Sequence, residues 1–407
     1  MVISVSNNYL DVLVGMLVFS RPELRLSERV KFLKSSQSFK VYEVGIDGVQ
    51  ARPVSVVCED FVCRGFEVVR YVMCKEDASM SEALKTVSRV LGVRASYAGI
   101  KDAEGFTCQF ITIKCSPSKK LKKCYEFLDG RVTLLFHGVA DSMLRRGDLE
   151  GNYFEVLLED LNEDDFRILR GLRNSCDKIT FLNYYGYQRF GVRRPVTHLI
   201  GKALLESDVK KALDLILGNP YPTETQRVIE ARKSYEEGDL REALRLFPRN
   251  FDVERSLIKG LLRGMSVSEV LDLIDKWLIR MYVEAYQSYL FNLALSKLAT
   301  QLGDVDVLAL KCEVMPLPRP NLNLFDECSR EAIKAVEEEL KSINPKSSYL
   351  KYLSRNNREV VFTLRNYTHE ETDDKALLKF LLKPSTYATV FLRELLGPPT
   401  WEQPIKG

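Results

Sequence analysis

Tyr97-Ala98-Gly99-Ile100-Lys101-Asp102-Ala103-Glu104-Gly105-Phe106-Thr107-Cys108-Gln109 lies between an amphipathic segment ending near Val93 and a strand-like run, Phe110 to Lys114. It sets a carboxylate beside an ammonium in a turn whose glycines, Gly99 and Gly105, permit tight backbone. Thr107 and Gln109 follow at alternate positions of the strand, so both face one side. One carboxylate, one cation and a few neutral hydrogen bonders thus gather at the mouth of a sheet. A solvated connection between helix and strand would read the same way, so the rest of the chain has to decide.

Working outward, Ser79-Met80-Ser81-Glu82 is a capping box. The helix it opens carries Ala83, Leu84, Val87, Val90 and Leu91 at spacings of three and four. A strand, Phe66 to Met73, precedes it. Further upstream Phe39 to Val44 alternates with period two, a half-buried strand, and Gly45-Ile46-Asp47-Gly48 turns the chain. Downstream, Lys119, Lys120, Lys122 and Lys123 put four lysines within five residues. Such a run is either a solubilising loop or a phosphate contact. Strands are expected at Arg131 to Phe136 and Glu155 to Leu158, then a helix capped by Asn162 with Asp165 three residues on.

Asn183-Tyr184-Tyr185-Gly186-Tyr187-Gln188-Arg189-Phe190-Gly191 is a second unusual stretch, with Arg193, Arg194 and His198 just beyond. Aromatics beside cations are what unpaired bases and their phosphates need: faces to stack on and charges to hold the backbone. A packed, tyrosine-rich turn is the alternative. From about Pro195 helical spacing dominates: Asp208 to Leu217, Glu224 to Glu237, Val253 to Leu262, Val267 to Leu278, Ile279 to Leu302 and Glu331 to Leu340. The strand signal returns at Val360 to Leu364 and Ala376 to Leu382. A strand so late in the chain can re-enter the N-terminal sheet.

Composition sets outer bounds. At ~150 residues per domain, 407 residues predict two or three domains. A net charge of +3 is nearly balanced, so any nucleic-acid surface must be local. The nine cysteines are scattered without a CxxC pair, and with three histidines a zinc site is not expected. Odd, scattered cysteines suit a reducing cytoplasm. The apolar run Leu10 to Phe19, broken by Asp11 and Gly15, makes a poor signal peptide. No stretch approaches the ~20 apolar residues of a membrane helix.

Ala98-Gly99-Ile100-Lys101-Asp102 followed by Thr107 and Gln109 resembles the catalytic motif of the TruD family of tRNA pseudouridine synthases. The Asn183 to Gly191 stretch is similar to that family's Asn-Tyr-Phe-Gly-x-Gln-Arg-Phe-Gly signature, with Tyr185 where the family often has Phe. Phe39 to Glu43 resembles its first box, though Ser38 replaces an Asp. The basic residue upstream falls to Lys34, with Lys31 as the alternative. Gly151-Asn152 with Phe154, Ala285 to Asn292, and Pro384 to Glu394 resemble further boxes. Residues Val49 to Arg64 have no clear counterpart and read as an insertion.

The resemblance implies an α/β (α+β) fold: a catalytic domain on a mixed, largely antiparallel sheet, plus an inserted, mainly helical TruD domain. The expected division is 1–195 with 357–407 for the catalytic domain and 196–356 for the insertion. It further implies that uridine in tRNA, usually at position thirteen, is isomerised to pseudouridine, the RNA lying in a cleft and the target base flipped. Asp102 would be the nucleophile, with Tyr185, Asn183 and Lys34 as its catalytic companions. Lys101, Gln109, Gln188, Arg189, Phe190, Arg193, Arg194 and the four lysines would contact RNA. No cofactor or metal is implied, and the reading takes the chain as a cytoplasmic monomer with tRNA as partner. The rivals are an idle RNA-binding or RNA-folding protein on the same fold, and a small-molecule enzyme with an aspartate nucleophile. A glycosidase would need a second carboxylate and a phosphatase metal-binding carboxylates, and neither cluster is evident.

Overall fold

The computed structural model describes residues 3–398, apart from Ile100, Asp102, Ala103, Cys176, Val192 and residues 323–325. The chain forms two compact units, each assembled from separate segments. One comprises Leu26–Ile179 and Thr363–Ala388; the other comprises Met1–Arg25, Thr180–Phe362 and Thr389–Gly407. These limits differ from the expected division at 195 and 357. The first 25 residues, the Asn183 signature and most of the last helix go with the helical segments.

The first unit is built on a nine-stranded sheet. In spatial order it runs Arg365–Thr372, Lys375–Leu382, Leu149–Leu158, Phe39–Gly45, Phe106–Cys115, Glu67–Glu76, Val132–Ala140 and Cys124–Phe127. Ala95–Tyr97 also pairs with Phe106–Cys115. The sheet is mixed and largely antiparallel: Phe39–Gly45 runs parallel to Phe106–Cys115, with Val41 opposite Thr107, and the other pairings are antiparallel. The late strand does re-enter. Lys375–Leu382 lies along Leu149–Leu158, and Phe380 stacks on Phe154 at 5.4 Å. Ser79 caps the Met80–Leu91 helix through the Glu82 N–H at 3.2 Å. That helix buries Ala83, Val87 and Leu91 against Tyr71, Met73, Ile111 and Ile113. Val90, expected on the same face, is 55% exposed, because it falls to the side of that stripe.

The second unit packs around the 27-residue helix Lys276–Leu302, most of whose length is buried. Gly201, on the Thr197–Leu205 helix, makes the crossing possible: a Cβ there would fall 2.0 Å from the Tyr282 carbonyl oxygen. Val267 to Leu278, expected as one helix, is interrupted. Val267–Leu271 is a short helix with its own capping box, Ser266 and Glu269. The long helix starts afresh behind Asp275, whose extended backbone (ψ 135°) cannot continue a helix. Among the described residues no helix is long and apolar enough to cross a membrane.

Eight of the nine cysteines are paired as disulfides: Cys58–Cys124, Cys63–Cys115, Cys74–Cys108 and Cys312–Cys328. Distance along the chain concealed them. Cys74 and Cys108, for example, are 34 residues apart yet directly opposite on adjacent strands. Two of these bridges tie down the Val49 to Arg64 segment, whose short strand Asp60–Val62 pairs with Lys120–Lys122.

Candidate active site

The turn singled out by sequence is fastened on one side to the sheet and on the other to the turn before Leu149–Leu158. Gln109 donates from Nε2 to the Gly99 carbonyl at 3.1 Å, and the Gly147 N–H donates to the Ala98 carbonyl at 3.0 Å. Lys101 turns inward. Its ammonium lies 2.9 Å from Glu43 Oε2 and donates to Asn152 Oδ1 at 2.5 Å. Glu43 is 1% exposed and its other oxygen accepts from the Phe110 N–H at 3.2 Å. A buried carboxylate in such a place needs a cation, and Lys101 supplies it. Past the turn, Gly105 adopts φ +98°, and a Cβ there would sit 2.8 Å from the Phe39 carbonyl oxygen. Its N–H donates to Asp77 Oδ1 at 2.8 Å. Asp102 itself lies outside the described residues.

Lys101 and Gln109, read from sequence as RNA contacts, are 7% and 1% exposed. They hold the loop from within and present nothing to solvent. Glu43 was missed as a site residue. Its signal was there: it shares the phase of Phe39 and Val41 on a strand, and a carboxylate on an apolar face demands a partner. Lys34 lies 4.9 Å from the Phe39 ring centroid, and Lys31 pairs with Asp160 at 2.7 Å at the surface.

In the other unit, Phe181–Leu182 pairs with Val361–Phe362 and delivers the Asn183 signature. Three of its four rings are packed inside: Tyr184 at 0%, Tyr187 at 4% and Phe190 at 0% exposure. Tyr184 shares a hydrogen bond with Ser296 (2.8 Å), Tyr187 bonds Asp11, and Phe190 meets His198 edge-on at 5.2 Å. Tyr185 alone of the four keeps partial exposure. Its backbone is pinned by Asn292, which accepts from the Tyr185 N–H at 2.7 Å and donates to its carbonyl at 3.0 Å. The Arg358 guanidinium lies 3.9 Å from its ring centroid, and Phe291 meets it edge-on at 5.6 Å. Arg358 also donates to the Asn183 carbonyl (3.0 Å), Asn183 Oδ1 (2.9 Å) and the Tyr184 carbonyl (3.1 Å). Asn183 is 3% exposed and donates from Nδ2 to the Glu359 carbonyl at 3.0 Å. Sequence reasoning missed Arg358, which stands 175 residues from Asn183.

The remaining candidates divide by exposure. Gln188 accepts from Thr389 at 3.0 Å, and Arg189 reaches Ser288 (3.2 Å) and Glu284 (3.1 Å). Arg194 caps the C-terminal end of the Val209–Leu217 helix through the Gly218 and Asn219 carbonyls, at 2.6 and 3.1 Å. Burial, with Arg232 nearby, lowers its pKa to about 10. His198 is buried, which lowers its pKa to about 4, so it is neutral near pH 7. Lys119 donates to the Leu91 carbonyl at 2.7 Å, at the end of the Met80–Leu91 helix, and Lys123 pairs with Glu59 at 2.5 Å. Arg193, Lys120 and Lys122 are exposed.

Comparison with known proteins places this architecture. The crystal structure of a putative tRNA pseudouridine synthase D from Methanosarcina mazei superposes with a TM-score of 0.68, over 97% of this chain and 99% of that one, at 22% identity. The fold is therefore that of a pseudouridine synthase. Residues 31–309 match the family model described as tRNA pseudouridine synthase D (TruD). A probable tRNA pseudouridine synthase D from Sulfurisphaera tokodaii is 33% identical over 80% of this chain and 84% of its own. One from Methanopyrus kandleri is 34% identical over 78% and 81%, and one from Pyrobaculum aerophilum 28% over 95% and 96%. The chain belongs to the TruD family, whose members are tRNA-modifying isomerases.

Proposed function

We propose that this chain converts one uridine of tRNA, that of position thirteen, to pseudouridine, with Asp102 as nucleophile. The N1–C1′ bond breaks and its electron pair leaves with the base. The Asp102 carboxylate attacks or stabilises C1′ meanwhile. The base then rotates, C5 bonds to C1′ as the carboxylate departs, C5 loses its proton and N1 gains one. The target must leave its helical stack to react, so it is flipped. Tyr185 is the platform on which the flipped base stacks. Asn183 hydrogen-bonds the base or orients the aspartate. A basic residue, Lys34 or Lys31, keeps Asp102 ionised. Exposed Arg193, Lys120 and Lys122 hold phosphates, with Gln188 and Arg189 beside the base. With tRNA as its substrate, the chain acts in the cytoplasm as a monomer.

The observation that carries this reading is the family match, which spans both the Lys101-Asp102 turn and the Asn183 signature. Within that signature Tyr185 is the one aromatic residue that is not fully buried, which supports the stacking role. The test is Asp102→Asn, which keeps size and some hydrogen bonds but no nucleophile. Pseudouridine formation in tRNA should vanish while tRNA affinity stays within about threefold. Turnover retained within about tenfold of the parent would remove Asp102 from the mechanism. Mapping pseudouridine along the product tRNA reads out the position. Modification elsewhere would displace position thirteen.

A further inference from the structure

We propose that Arg358 is a positioning residue for the target base, acting through Tyr185 and Asn183. The inference rests on the reading that Tyr185 stacks on the flipped uridine. A ring that receives a base must be held flat before the base arrives, or binding has to order it first. Arg358 lies at the ring, its guanidinium 3.9 Å from the centroid. The planar guanidinium stacks on an aromatic face as an ammonium does not. Its own hydrogen bonds, to the Asn183 and Tyr184 carbonyls at 3.0 and 3.1 Å, fix it to the same three-residue segment it supports. The support and the platform therefore move as one body. Phe291 closes the edge of the ring at 5.6 Å and Asn292 clamps its backbone.

The same guanidinium decides the orientation of the Asn183 amide. It donates to Asn183 Oδ1 at 2.9 Å, so the oxygen is committed to Arg358 and the nitrogen must point the other way, where it meets the Glu359 carbonyl at 3.0 Å. An amide can be flipped, and a cation on one side removes that freedom. Asn183 is thereby fixed as a donor. The groups it is asked to meet, a uracil carbonyl or a carboxylate, are acceptors. One buried arginine thus sets both the stacking surface and the polarity of the hydrogen bond beside it. Arg358 lies beyond residues 31–309, the span of the family model.

The experiment is single-turnover pseudouridine formation on a tRNA transcript at saturating enzyme, followed over hours, with tRNA affinity measured in parallel. Four proteins are compared: the parent, Arg358→Gln, Tyr185→Ala and the double variant. Stacking on an aromatic ring is worth about 1–3 kcal/mol per base, so Arg358→Gln should slow the parent roughly 10- to 100-fold while its affinity for tRNA stays within about threefold. In the Tyr185→Ala background the same change should cost clearly less, because one of the two groups through which it acts is gone and only the share carried by Asn183 remains. An equal loss in both backgrounds, or an unchanged rate in the first, overturns the proposal. Should Arg358→Gln lack a cooperative melt, Arg358→Lys replaces it. Lysine keeps the charge and loses the planar fork, so a smaller loss, again reduced in the Tyr185→Ala background, is expected; no loss overturns the proposal. A parent protein that forms no pseudouridine would instead count against the proposed function, so the two failures are told apart.

Discussion

Tyr185 is where a single oxygen atom separates two mechanisms. If the ring only stacks, Tyr185→Phe keeps the surface on Arg358 and slows single-turnover chemistry less than about tenfold, while Tyr185→Ala loses the 1–3 kcal/mol of base stacking and more. If the hydroxyl takes a proton, the Phe variant should instead lose roughly 10²–10⁴-fold, the range for a general base. The small effect is expected, because members of the resembling family often carry Phe here. A severe loss in Tyr185→Phe with tRNA binding intact would make the hydroxyl a base. At Lys101 the expectation is different in kind. Lys101→Met leaves Glu43 buried at 1% exposure without its cation, which should cost about 3–5 kcal/mol of stability. A denaturant midpoint unchanged from the parent would show that Glu43 finds another partner. Lys101 could be read as part of a motif but not as a buried ion, because adjacency to Asp102 says nothing of which way a side chain turns. Arg358 could not be read at all, since its importance lies in contacts with residues about 175 positions away.

Among the elements, the lysine segment shows how a charge run divides once folded. Lys119 is spent on the end of the Met80–Leu91 helix and Lys123 on Glu59. Lys120 and Lys122 flank buried Leu121 on a strand and project outward. Of the four, only the outward pair is exposed. Replacing Lys120 and Lys122 by Ala should lower the log–log salt slope of tRNA binding by about 0.7–0.9 for each phosphate no longer neutralised. Replacing Lys119 should act on melting instead. An unchanged slope after the double replacement would leave the segment a solvated ribbon. The elements legible in sequence were those with strong periodicity. Phe39–Gly45, the capped Met80–Leu91 helix and Lys375–Leu382 alternate or recur clearly. Arg365–Thr372 escaped because it is an edge strand burying only Tyr367 and His369, too few positions for a pattern. The signature reads as a cluster of aromatics, but helix Lys276–Leu302 sorts its rings, with Ser296 bonded to buried Tyr184 and with Phe291 and Asn292 against Tyr185. Spacing within Asn183 to Gly191 carries no trace of that helix.

For the whole molecule, the long-range links that sequence spacing hid most completely are the disulfides. The four bridges close segments of 66, 52, 34 and 16 residues. Three of them lie in the sheet unit, two holding the Val49 to Arg64 segment against the strands beside the lysine segment. In the chain-entropy view a bridge mainly restricts the unfolded chain, more for longer segments, with typical stabilisation of about 2–4 kcal/mol. For a unit of this size that corresponds to a melting shift of roughly 5–15 °C per bridge. Melting the protein with and without a strong thiol reductant should therefore separate the two transitions by at least one such step. The chemistry can be read independently of the melt. Unfolded without reductant, the protein should leave eight of its nine cysteines closed to alkylation, and reduction should open them. Cys58→Ser with Cys124→Ser isolates the longest segment, and since Glu59–Lys123 and the Asp60–Val62 pairing remain, its loss should lower the melting temperature while leaving pseudouridine formation near that of the parent. Full alkylation without reductant, with coincident melts, would mean that these sulfurs meet as thiols. The sheet unit would then rest on its core and ladders alone.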